Sequence, residues 1–113
     1  MTTIETVLGP VPVEDLGHVL VHEHVVASSP GILTSWPDLF GSRQALVERG
    51  VAALRDARDA GVGSMVDCTT FDLGRDAALL AEVSEASASD GPSGTMARCC
   101  VMKSLGWSLS AIP

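Results

Sequence analysis

Apolar and polar positions divide the first 87 residues into short β-type runs and longer helical stripes. Thr2 to Leu8 is rich in β-branched residues and is punctuated by Gly9-Pro10, which predicts a short N-terminal strand or hairpin. Val19 to Val26 is mostly aliphatic and about as long as an ordinary strand, so a buried strand is expected there. Ala27 to Gly41 holds two prolines, two glycines and three serines beside Trp36 and Phe40, the composition of a long loop. From Ser42, a residue suited to capping a helix, Leu46, Val47, Val51, Leu54 and Ala57 recur at helical spacing up to a natural stop at Gly61. Val62 to Thr70 reads as a second β-type run. A second helix follows, with Asp76 in its first turn and Leu79, Leu80 and Val83 as its apolar stripe.

The order strand, loop, helix, strand, loop, helix predicts an α/β fold of βα units on a parallel sheet. Beyond Ala86 the pattern changes to a Ser/Gly/Pro-rich stretch without a period of 2 or 3.6 residues. The expected division is therefore a structured part, 1–87, and a divergent, irregular tail, 88–113.

Composition narrows the function classes. With 46% hydrophobic and 19% charged residues in 113, the chain is expected to form one small domain or part of one. Seven basic residues against 14 acidic give a net charge of -7 without a basic cluster, which argues against a nucleic-acid partner. No apolar run reaches the roughly 20 residues of a bilayer span, and the N-terminus lacks secretory character, so a cytoplasmic protein without a membrane partner is expected. The three cysteines, Cys68 and the adjacent Cys99 and Cys100, neither form a disulfide framework nor show C-x-x-C spacing.

The candidate chemistry lies in "VHEHV", residues 21–25. Side chains alternate between the faces of a strand, so His22 and His24 share one face and Glu23 takes the other. Two imidazoles so placed can reach one divalent metal, whereas burying them among aliphatic side chains without partners would be costly. The alternative, that each ring is satisfied by backbone or carboxylate groups, is the ordinary role of a lone histidine. His18 lies about 13 Å from His22 along an extended strand, too far for the same ion. Asp67 could act in chemistry or hydrogen-bond to nearby backbone, and Trp36 and Phe40 could line a pocket or anchor a loop.

Two stretches, "TVLGPVPVEDLGHVLVHEHVV" and "GVGSMVDCTTFDLGRDAALLAEVSEAS", resemble the N-terminal part of the phosphotriesterase family within the amidohydrolase superfamily. The shared features are a Gly-Pro turn, an L-G step, an H-E-H signature on the first barrel strand, and a V-D-x-[ST]-T-F-D-x-G-R-D signature matched from Val66 to Asp76. Over about residues 3–87 the resemblance implies a partial TIM (β/α)8 barrel: its first two βα units, preceded by a short strand or hairpin. It also implies a zinc-dependent hydrolase of phosphotriesters or lactones with a binuclear centre, His22 and His24 holding one metal. Small ester or lactone substrates, and homodimers among full-length members, come with that family. The family's other ligands, a lysine, two further histidines and an aspartate, come from later strands. Here no histidine follows His24, and the only lysine, Lys103, lies in the tail outside any family-like strand. An inactive chain is therefore expected. The other function class is a non-catalytic barrel remnant or interaction fragment without a functional metal site.

Overall fold

The computed structural model describes residues 2–88 and the strand at residues 98–101. Its first element is a hairpin of β1 (Thr3–Thr6) and β2 (Gly9–Pro12), paired antiparallel with Thr3 opposite Pro12 and Thr6 opposite Gly9. The Thr6 hydroxyl closes the turn. It donates to the Gly9 carbonyl at 2.7 Å and accepts from the Leu8 N–H at 3.2 Å.

A three-stranded parallel sheet follows, in the order β3 (His18–Glu23), β4 (Val62–Asp67), β5 (Arg98–Val101). Helix α2 (Arg43–Asp59) joins the first two of these strands, and α3 (Ala77–Ala88) lies between β4 and β5 in the chain. The loop expected at Ala27 to Gly41 contains one helical turn, α1 (Ile32–Ser35). Among the described residues no helix is long and apolar enough to cross a membrane.

The stripes read from the sequence form the core. Leu46, Val47, Val51 and Leu54 of α2 meet Leu79, Leu80 and Val83 of α3 over Met65 of β4, and Leu54 and Val83 are almost wholly enclosed. Burial of this apolar surface is the main stabilising contribution. Gly50 lets the helices approach: a Cβ there would meet the Val83 methyls at 3.0 and 3.1 Å. At the far ends the Arg58 guanidinium donates to the Ser87 carbonyl at 2.8 Å, pinning the two C-termini together.

Local signals set the helix starts. The Ser42 hydroxyl accepts from the Ala45 N–H at 3.1 Å, satisfying one of the donors that a helix leaves unpaired at its first turn. Ser42→Ala is expected to lower stability by about 1 kcal/mol, read as a shift of the urea midpoint at unchanged slope. Asp76 stands just before α3 rather than within its first turn, and its carboxylate caps the helix by accepting from the Leu79 N–H at 2.8 Å.

Two further expectations are corrected. The strand expected to be buried over Val19 to Val26 ends at Glu23 and is largely exposed, with Val21 74% accessible. Within the described sheet β3 is an edge strand. The tail expected to be irregular contains β5, which extends the parallel sheet along the free edge of β4, with Ser64 opposite Arg98 and Asp67 opposite Val101. Four residues, Arg-Cys-Cys-Val, are too few to show a period, and the unpaired N–H and C=O groups of β4 supply the hydrogen-bond partners that define the strand. Lys103 and the other tail residues lie outside the described residues.

Candidate metal site

The pairing of β3 with β4 places the two histidines. Leu20 lies opposite Met65 and Glu23 opposite Asp67, so β3 advances three residues while β4 advances two. Such a bulge re-aims the side chains that follow it. Leu20 packs toward the helical core, whereas His22 and His24, at even-numbered positions like Leu20, are exposed. The two rings meet edge to face, with centroids 5.3 Å apart and planes inclined by 69°.

His24 follows directly on the end of β3, and the groups around it are tied down. Asp67, at the end of β4 and only 2% exposed, accepts from the Val25 N–H through one carboxylate oxygen and from the Thr69 N–H through the other, both at 2.9 Å. The Cys68 N–H donates to the Glu23 carbonyl at 2.8 Å. Further out, the Ser28 N–H donates to the Leu73 carbonyl at 2.9 Å, and Gly74 approaches Ser28 so closely that a Cβ would lie 2.8 Å from the Ser28 carbonyl oxygen. The loops after β3 and β4 are therefore stitched into one rim.

That rim holds His24. Its Nδ1 lies 3.0 Å from the Thr69 hydroxyl oxygen. With Nδ1–H donating to Thr69, Nε2 carries the lone pair and is free to bind a metal, an arrangement in which a second group fixes the tautomer of a ligating imidazole. The ring separation suits such a role. Two imidazoles bound to one tetrahedral zinc through nitrogens about 2.0–2.1 Å from it have ring centroids on the order of 5 Å apart. The centroid separation of the pair matches that spacing. Among the described residues no group of three or more histidine, cysteine, aspartate or glutamate side chains could hold a metal.

The remaining candidates separate cleanly. His18 is exposed at the other end of β3. Asp67 serves backbone N–H groups, the structural alternative offered by the sequence. Cys68 is partly buried, its Sγ 3.7 Å from the Val21 carbonyl oxygen, and the side chains of Cys99 and Cys100 lie outside what is described. Phe40 lines a cavity of about 290 Å³ with Val25, Val26, Leu33, Leu46 and Arg49, whereas Trp36 is 64% exposed and does not line it. Thr69 was not singled out from the sequence. The available signal was a hydroxyl at the C-terminal end of the strand beside the histidines, inside the Val66 to Asp76 signature.

Residues 2–90 match the model of the phosphotriesterase family. The chain belongs to the phosphotriesterase family. It is 33% identical over 87 residues to phosphotriesterase homology proteins of two strains of Mycobacterium tuberculosis, covering 77% of this chain and 27% of theirs. To the aryldialkylphosphatase of Saccharolobus solfataricus it is 30% identical over 82 residues, covering 73% of this chain and 26% of that protein. The solved structure of the phosphotriesterase from Mycobacterium tuberculosis superposes with a TM-score of 0.76 at 29% identity, over 88% of this chain and 28% of that one. The α/β fold is thus similar to part of a phosphotriesterase, and the chain spans about a quarter of the length of the curated relatives it matches.

Proposed function

We propose that this chain contributes the first two βα units of a (β/α)8 barrel and the His22–His24 half of the metal centre of a zinc-dependent hydrolase acting on phosphotriesters or lactones. The observation that carries the reading is the pair of exposed imidazoles at the C-terminal end of β3, the end of the strands where the sites of such barrels sit. Membership of the family supports hydrolysis as the reaction class.

His22 and His24 hold the metal. Thr69 orients the His24 ring, and Asp67 keeps the two loops, and with them the ring, in register. When bound, zinc polarises a phosphoryl or carbonyl oxygen and makes water a stronger nucleophile near neutral pH. The 113 residues include one further histidine, His18, and one lysine, Lys103. That is short of the three protein ligands of an ordinary catalytic zinc site, so no hydrolytic step is assigned to these residues alone.

A second reading is a non-catalytic barrel piece without a functional metal site, favoured by the lack of a third ligand among the described residues. Calorimetric titration with zinc separates the two. The chain is expected to bind zinc and the double variant His22→Ala, His24→Ala to lose that binding, while neither hydrolyses a dialkyl aryl phosphate or a lactone. Equal zinc binding by both proteins would overturn the ligand assignment, and hydrolysis by the chain would overturn the half-site.

A further inference from the structure

We propose that the cavity beside the segment following His24 binds a small amphiphilic anion, a carboxylate on a short aliphatic chain, with Arg49 taking its charge. The inference goes beyond the hydrolase reading and stands without it.

The walls of this cavity are apolar. Val25, Val26 and Leu33 line its 290 Å³ from the segment after β3, Leu46 lines it from α2, and Phe40 from the end of the intervening loop. Ligand pockets begin at roughly 300 Å³, so the space suits a short hydrocarbon chain rather than a large ligand. Its shape is held from two sides. Leu46 belongs to the buried core, and Val25, Val26 and Leu33 pack against that core. The Val25 and Ser28 N–H groups are in turn fixed by the Asp67 carboxylate and the Leu73 carbonyl. Walls tied in this way keep the space from closing by collapse, as a preformed pocket requires.

Arg49 supplies the charge. It is the charged residue among those lining the cavity, and like Phe40 it is exposed, so the two mark the side open to solvent. Its Nη2 donates to the Phe40 carbonyl, which orients the guanidinium there and leaves further N–H donors for a guest. Among the described residues the ion pairs are Arg43 with Glu82 and Arg58 with Asp59, so no carboxylate neutralises Arg49. A planar guanidinium matches the two oxygens of a carboxylate, and an aliphatic chain attached to that carboxylate gains from burial against the apolar walls. Neither part suffices alone. The net charge of -7 disfavours anions over the molecule as a whole, so an anion that is retained is held locally.

Titration of the full chain with hexanoate, followed by methyl NMR in the presence of chelator, tests the site. The chelator removes any metal to which a carboxylate could attach. The expected result is a saturable shift of the Val25, Val26 and Leu33 methyl signals, with acetate and hexanol each binding at least tenfold more weakly than hexanoate. Arg49→Gln should weaken hexanoate about tenfold, Arg49→Lys should retain part of the affinity, and His22→Ala, His24→Ala should leave it unchanged, whatever the fate of zinc binding. Equal affinity for hexanol and hexanoate, or full affinity in Arg49→Gln, would overturn the role of Arg49. No saturable shift of these methyls would overturn the site. Shifts abolished in the double histidine variant would place the anion at the imidazoles and overturn the proposal.

Discussion

Replacing Asp67 with alanine is expected to cost about 3–5 kcal/mol, a large share of the stability of a small domain. The carboxylate is 2% exposed and its two oxygens each accept one backbone N–H, from Val25 and from Thr69, at 2.9 Å. Alanine leaves both donors without a partner in a site that water reaches poorly. Hydrogen bonds to a charged acceptor contribute about 1.5–3 kcal/mol each, and two lost together account for the expected range. Asparagine keeps one carbonyl acceptor but turns an NH2 toward the other donor, so Asp67→Asn should fall between the two. Urea unfolding followed by circular dichroism measures the series. A loss below about 1 kcal/mol for Asp67→Ala would mean that water replaces both bonds. Because Val25 follows His24 in the chain and the Thr69 hydroxyl lies 3.0 Å from the His24 Nδ1, zinc affinity should fall along the same series.

Gly63→Ala is expected to destabilise by about 2–3 kcal/mol through crowding against backbone. A Cβ at this position would stand 2.5 Å from the Leu16 carbonyl oxygen and 3.1 Å from the Gly17 Cα. Neither can swing aside as a side-chain tip could. The Leu16 carbonyl also accepts from the Ser64 hydroxyl at 2.7 Å, and Gly17 turns the chain with φ at +65°, so shifting the segment disturbs the start of both β3 and β4. A thermal melt at matched concentration is the measurement. A melting temperature within about 1 °C of the parent would show that the Leu16–Gly17 segment yields freely.

What was legible in the sequence follows from how local each signal is. Helix α2 was plain because a seventeen-residue stripe repeats several times and both ends carry chemistry: the Ser42 hydroxyl at the start, and Gly61, with φ at +96°, just past the end. The spacing of the two histidines was local, but the strand ends at Glu23, so alternation along β3 does not place His24, which lies in the loop beside the Thr69 hydroxyl. Exposure of β3 was not legible, because burial depends on what covers a face, and an aliphatic run reads alike in the middle and at the edge of a sheet. The bulge between Leu20 and Glu23 is a property of pairing with β4 and leaves no mark on β3 itself. For β5 the decisive factor is the edge of β4, remote in sequence from its four residues. Thr69 gains its meaning only when β4 lies beside β3 and brings the hydroxyl within 3.0 Å of His24.

The central claim, that His22 and His24 together form the metal-binding half-site, is tested most directly by histidine-selective nitrogen NMR on the full chain during zinc titration. The chain has three histidines, so His18 serves as an internal control. The account predicts that the ring nitrogens of His22 and His24 shift together, with Nε2 of His24 as its bound atom, while His18 stays unchanged. Zinc-induced shifts confined to His18, or absent from all three rings, would contradict it.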